Sequence, residues 1–262
     1  MSDIRLTERD LRLLAKCAVC RWLTTGQLQR LYFPKATLNA VQKRLRKLSD
    51  EGYLRSYREH PTAEAIHAVG PKGQPLVEEK GLEAAAGGEP PRHWEHLMGI
   101  NEMRIAVEAG PAPAIFYFAA WELARSGWGY PVIPDAVFAF RRPGRRAFLL
   151  EYDRGTEPQE ELLGKLKRYA AGLDGLPFEA VVIVTEETRR LDLLGRGMRR
   201  SGVRVTALAA TLGEIQAAGL YQAAFTALPR GGKRQFLLDT AADQGGEGLL
   251  SDSPFERRGG DG

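Results

Sequence analysis

Three acids and a lysine are the residues of this chain best suited to chemistry. In the stretch "IPDAVFAFRRPGRRAFLLEYDRGTEPQEELLGKLKRY", Asp135 opens one apolar run, and Glu151 and Asp153 close the next. Lys165 follows on a basic, helix-patterned segment. A three-residue turn over Arg142–Gly144 would set Asp135 opposite Glu151 in an antiparallel hairpin; a two- or four-residue turn offsets the pair by one. With the three-residue turn their Cβ atoms lie about 5 Å apart on one face. Asp153, two residues on, points to that same face. Carboxylates converging in this way raise one another's pKa unless a cation neutralises them. Oxygen ligands of this kind suit Mg²⁺ or Mn²⁺, so Asp135, Glu151 and Asp153 are the candidate metal ligands. Lys165 arrives at the same end of the strands from the helix that follows. Taken one by one, the same residues are ordinary strand ends, with Arg154 pairing Glu151 or Asp153.

The elements needed to position these groups are legible around them. A helix over roughly Trp94 to Ala109 comes first, then a β-rich run "AIFYFAAWEL". The strands "VIPDAVFAF" and "RAFLLEY" follow, joined by "RRPGR". The spacing places the next helix after Thr156 as N-cap, with Pro158 in its first turn, Gln159 completing a capping box, and Leu162, Leu163, Leu166 and Tyr169 on its buried face. "FEAVVIVTEE" reads as a strand buried on both faces, then a helix spans about Glu187–Arg199, then a strand "VRVTALA". Three strands, a crossover helix and further buried strands imply a mixed α/β sheet.

The N-terminal part reads differently. Thr7 is placed to cap a helix carrying Leu11, Leu14, Ala15, Ala18 and Leu23 at helical spacing. A short helix over about Thr25 to Tyr32 stops at Pro34. A third carries Leu38, Val41, Leu45 and Leu48 as its apolar stripe and ends at Gly52 as a C′ glycine. Between Lys35 and Leu48 stand Lys35, Lys43, Arg44, Arg46 and Lys47, and no acid. Two strands, around Leu54–Arg58 and Ala65–Val69, follow with His60–Pro61 near their turn. This order resembles the winged helix-turn-helix domains of bacterial regulators and plasmid proteins. The resemblance implies duplex DNA as partner, with the third helix in the major groove and Arg55 and Arg58 on the wing joining its basic residues.

The second half resembles the PD-(D/E)xK nuclease fold. Pro134–Asp135 matches its opening pair and Glu151 its second acid, while Asp153 occupies the position of its lysine; if the centre is active, the resemblance implies Asp135 and Glu151 as catalytic acids and Lys165, from the following helix, as the activator of a metal-bound water. Glu102 sits where some members carry a further acid. The longer pattern is similar to the replication-relaxation family: a winged helix, a linker, "HxxxxNE" ending at Asn101–Glu102, "PDAxF", "LEYDRGTE" and "KLKRY". That resemblance implies an accessory DNA-binding protein in replication, relaxation or mobilisation of a plasmid or integrative element, with a relaxase or replication initiator as further partner. The rival readings are a Mg²⁺-dependent endonuclease or nickase, and a winged-helix transcription regulator whose second domain dimerises. The oligomeric state stays open, a dimer included.

The expected organisation is α+β, with α/β in its second half. A winged helix-turn-helix covers 1–82, a linker 83–92 ("GLEAAAGGEPPRH" marks it), a restriction-endonuclease-like mixed-sheet domain 93–239, and a disordered tail 240–262. The 262 residues suffice for two cores, and 44% hydrophobic with 27% charged residues is a soluble composition. The absence of a long apolar run argues against a membrane span, and a net charge of +4 is a mild nucleic-acid signal. Two cysteines do not make a disulfide framework, so a reducing cytoplasm is the expected compartment; Cys17 and Cys20 read as helix residues rather than zinc ligands. No phosphate-binding glycine loop or Gly-x-Ser-x-Gly elbow occurs. "LPRGGKRQF" (Leu228–Phe236) reads as a surface turn, with a basic DNA-contacting arm as the alternative.

Overall fold

The computed structural model describes residues 4–84, 89–109, 114–130, 132–140, 147–172 and 178–235. The expected turn at Arg142–Gly144 and the tail 240–262 lie outside them. The chain divides into two compact units, Met1–Glu102 and Met103–Gly262.

In the first unit, α1 (Glu8–Cys20), β1 (Leu23–Thr24), α2 (Thr25–Tyr32), α3 (Leu38–Asp50), β2 (Leu54–Tyr57), β3 (Ile66–Val69) and α4 (Gln74–Glu78) precede the start of α5 (Trp94–Glu108). Thr7 and Thr24 cap α1 and α2 through reciprocal capping boxes with Asp10 and Gln27. α1 ends three residues short of Leu23, which belongs to β1, and its buried face is Leu13, Leu14, Cys17 and Ala18 rather than Leu11 and Ala15. Both cysteines lie in the core, where burial and the neighbouring Cys20 push the Cys17 thiol up. α3 ends in a Schellman turn: Gly52 has φ +83°, its N–H donates to Ser49 O at 2.9 Å, and Tyr53 N–H donates to Leu48 O at 2.9 Å. Leu38 departs from the expected stripe. At the first turn of α3 it is 49% exposed, while Val41, Leu45 and Leu48 are buried.

β1, β3 and β2 form an antiparallel sheet in that order. His67 locks it to the helices, its ring nitrogens meeting Thr25 Oγ1 at 3.0 Å and Ser56 Oγ at 2.8 Å, and Ser56 Oγ meeting Ser49 Oγ at 2.6 Å. Burial and the charge of Arg58 hold His67 down at about 4, so the ring is neutral at neutral pH. The "GPKG" turn needs its glycines for backbone approach: a Cβ on Gly70 would fall 2.5 Å from Gly52 O, and one on Gly73 2.4 Å from Tyr53 O.

In the second unit, β4 (Ala114–Ala119), α6 (Ala120–Arg125), β5 (Ala136–Phe140), β6 (Ala147–Asp153), α7 (Gln159–Gly172), β7 (Phe178–Thr185), α8 (Thr188–Ser201), β8 (Ala207–Thr211), α9 (Leu212–Ala218), β9 (Ala224–Leu228) and β10 (Lys233–Gln235) follow the second half of α5. The strands form one mixed sheet, β10-β9-β8-β7-β6-β5-β4, in which β6, β7 and β8 are parallel and α7 and α8 are the crossovers. One face packs Val137, Leu149, Val181 and Ile183 against Leu166, Tyr169, Leu194 and Met198. The opposite face carries an aromatic cluster, with Phe138 stacked on Phe148 at 5.4 Å between centroids. Within "AIFYFAAWEL" the strand ends at Ala119, because Glu122 accepts from the Ala119 N–H at 2.9 Å and starts α6. α7 begins at Gln159, later than a Thr156 cap would place it. Among the described residues, no helix is long and apolar enough to cross a membrane.

Asp10 is fully buried, and Arg44 of α3 reaches it through Nε at 3.1 Å and through a second, shorter hydrogen bond. Burial pushes the Asp10 carboxyl up, but the hydrogen bonds from Arg44 and Thr7 and the Arg44 charge together prevail and hold it below its usual range. Asp10→Ala should therefore lower the unfolding free energy by about 3 kcal/mol, by leaving the guanidinium without its partner and α1 without its capping box. Urea unfolding of the full chain measures this.

Candidate functional site

The β5–β6 register runs from Ala136↔Leu150 to Ala139↔Ala147, the pairing expected of a three-residue turn. Asp135 thus stands across from Glu151. Its N–H donates to Leu150 O at 3.0 Å, and its Oδ2 accepts from Tyr152 N–H at 2.8 Å.

Glu151 is 2% exposed. Lys165 Nζ lies 2.7 Å from its Oε2, and Tyr169 OH donates to its Oε1. Lys165 and Tyr169 are one helical turn apart on α7, so one face of the helix brings both to the carboxylate. Burial, and then the charge of Asp135, push Glu151 up to about 7, against the opposing pull of Lys165 and Tyr169. Burial pulls Lys165 down, but the charges of Glu151 and Asp135 prevail and raise it; Tyr169 is raised by burial and by Glu151. Asp153 is held elsewhere. Arg190 of α8 binds its Oδ2 through Nε at 2.6 Å, and Gly155 N–H donates to its Oδ1 at 2.8 Å.

The structure thus brings Asp135, Glu151 and Lys165 together and gives Asp153 an arginine of its own. Both oxygens of Glu151 are engaged, and Asp153 faces a guanidinium. Sequence spacing gave no sign of Arg190, nor of the part Tyr169 plays at Glu151 beyond its place on the buried face. The one-turn spacing of Lys165 and Tyr169 was the available signal for the tyrosine.

In the first unit, Lys35, Lys43, Arg46 and Lys47 are exposed. Arg44 is turned inward onto Asp10 and the Arg5 carbonyl, because its position on α3 lies beside the buried stripe. On the hairpin, Arg55 Nε donates to Val69 O at 3.1 Å, and Arg58 donates to Pro61 O at 2.9 Å. The "HxxxxNE" residues have structural partners as well. Asn101 Nδ2 donates to Cys20 O and Trp22 O at 3.0 and 2.8 Å, bracketing Arg21, whose φ is +64°. Glu102, expected as a further acid of the nuclease-like centre, accepts from Arg30 at 2.6 Å and from Gln27 at 3.0 Å.

A family model described as replication-relaxation matches residues 11–175, a span containing most of α1, all of α2 and α3, the β5–β6 hairpin and Lys165. The chain belongs to the replication-relaxation family. Membership supports a role in replication or relaxation of a plasmid or mobile element. Among solved structures, a mutant of Lactococcus lactis ZitR is similar at 23% identity and a TM-score of 0.24, over 31% of this chain and 54% of that one. A likeness so slight supports no inference about this family member. No curated protein matches the chain.

The Glu151 shift gives a signed pH dependence. The folded state holds this proton up to about pH 7, whereas an unfolded glutamate loses it near its ordinary value of 4.5. Stability from this group is therefore full at low pH and falls as pH rises through that window. Glu151→Gln, which mimics the protonated form, should gain on the wild type between about pH 5 and pH 8, by on the order of 2 kcal/mol. Denaturant unfolding at both pH values reads the difference; a parallel pair of profiles would contradict the shift.

Proposed function

We propose that this chain is a DNA-binding accessory protein for replication, relaxation or mobilisation of a plasmid or integrative element. The first unit acts as a winged helix-turn-helix that docks α3 on duplex DNA, with the β2–β3 hairpin as its wing. The observation that carries this reading is the outward face of α3. Lys43, Arg46 and Lys47 are exposed there, Lys35 precedes them, and Arg44 is withdrawn into the fold. Arg55 and Arg58 join from the hairpin. Replacing Lys43, Arg46 and Lys47 together by Ala should weaken binding and reduce the log–log salt slope by about 0.9 for each phosphate that is no longer neutralised. A salt series of binding to a short duplex tests it, and an unchanged affinity and slope would overturn it.

The second unit, in this reading, is a restriction-endonuclease-like domain that binds without cutting. Its support is the arrangement around Glu151, where the Lys165 ammonium takes the place a metal cation would fill beside Asp135. Lys165 is then a charge partner and Asp153 a structural acid paired with Arg190. The rival reading, a Mg²⁺- or Mn²⁺-dependent endonuclease, needs Lys165 to leave Glu151 so that Asp135 and Glu151 can offer oxygens to the cation. Millimolar Mg²⁺ should leave the wild-type melting temperature unchanged. It should raise that of Lys165→Ala by mass action, and Asp135→Asn in the same background should remove the rise. A Mg²⁺-dependent rise in the wild type would favour the rival.

A further inference from the structure

In the second unit, α8 carries exposed arginines with no part in the function proposed so far, with Asp192 the one acid of the helix. The helix holds five arginines and no lysine. Arg189, Arg196 and Arg200 fall at intervals of seven and four residues, which puts them on one stripe of the helix. All three are exposed, and none has an ion-pair partner among the described residues. Arg204, just past the helix, is exposed as well. At 1.5 Å per residue the stripe is about 16 Å long.

The other side of α8 is built to hold that stripe still. Leu191, Leu194 and Met198 are buried in the sheet-facing core. Gly195 and Gly197 are buried too, and a Cβ on Gly197 would fall 2.0 Å from Gln159 Nε2 and 2.8 Å from Leu163 Cδ1 of α7. Glycines inside a helix cost about 1 kcal/mol each; here Gly197 lets α8 lie close on α7, and Gly195 makes room for Leu228 of β9. Arg190 anchors the first turn, through Asp153 at 2.6 Å and Glu157 O at 2.9 Å. The stripe therefore starts beside the end of β6, two residues beyond Glu151.

We propose that the Arg189–Arg196–Arg200 stripe of α8 is a second DNA-binding surface, which grips the sugar-phosphate backbone of a duplex and leads it toward the Asp135–Glu151 end of the sheet. Its length spans roughly five base pairs of helix axis at about 3.4 Å each. Guanidinium groups suit the task because their forked donors match phosphate oxygens two at a time. Contacts to the sugar-phosphate backbone contribute affinity and register and leave sequence choice to other elements. This inference rests on the DNA-binding reading of the chain and adds a second surface to it.

The test uses the full chain and a short random-sequence duplex, with binding followed by fluorescence anisotropy over a salt series. Changing Arg189, Arg196 and Arg200 together to Gln should lower the salt slope by up to about 2.7, that is about 0.9 for each phosphate. The corresponding Arg→Lys triple, which keeps the charge, should retain most of the slope, and an unaltered melting temperature excludes misfolding as the cause. The α3 triple variant is run alongside. If it weakens binding and the α8 Gln triple leaves affinity and slope unchanged, the α8 surface is overturned while the α3 reading stands. If binding falls only for the α8 triple, α8 is upheld and the α3 reading fails. If neither changes, both fail, and the stripe is a solvated face or the seat of an acidic protein partner.

Discussion

A carboxylate buried within a sheet is the constraint on which the second unit depends. Glu151 sits near the end of a parallel strand with 2% of its surface exposed, and an isolated charge there would be costly. The chain meets the cost with one ammonium and one phenol from a single turn of α7, one to each oxygen. That requirement fixes the rotation of α7 on the sheet, and Leu162 and Leu166 then fill the core on either side. The same strand repeats the device two residues later, where Asp153 faces Arg190 of α8. β6 thus carries two acids on one face, and each ties down one of the two crossover helices.

The first unit follows the same logic with different parts. Asp10 is buried at the start of α1, so α3 must surrender one of its basic residues to it. Arg44 lies at the edge of the buried stripe and is the one in reach. Lys43, Arg46 and Lys47 point the other way because helical periodicity carries them to the opposite face. The division within the basic run of α3 is set by geometry: Arg44 is taken up by the fold, and Lys43, Arg46 and Lys47 stay exposed.

The features legible in the sequence were those governed by local rules. The β5–β6 register followed from a period of two and a turn length; the end of α2 followed from Pro34, and the stop of α3 from a left-handed glycine at Gly52. Features set by distant partners were not. Nothing near Arg44 in the chain announces Asp10, thirty-four residues away, and the partners of Asn101 and Glu102 lie more than seventy residues upstream. Leu38 misled because its spacing fits the stripe while its place in the first turn of α3 leaves it beyond the core. Within "AIFYFAAWEL", aromatic β-preference concealed α6, which depends on the Glu122 cap. Of the acids, the spacing gave the juxtaposition of Asp135 and Glu151; only the packing of α7 and α8 assigned their countercharges.

On the proposed reading the second unit engages DNA without cutting it, because Lys165 and Tyr169 hold both oxygens of Glu151 within the fold. The decisive measurement incubates supercoiled plasmid with saturating protein in Mg²⁺ or Mn²⁺, with retardation and nicking scored on the same gel. The expected result is a retarded plasmid that is still fully supercoiled once the protein is removed. Nicking that requires the metal and disappears in Asp135→Asn and Glu151→Gln would contradict it.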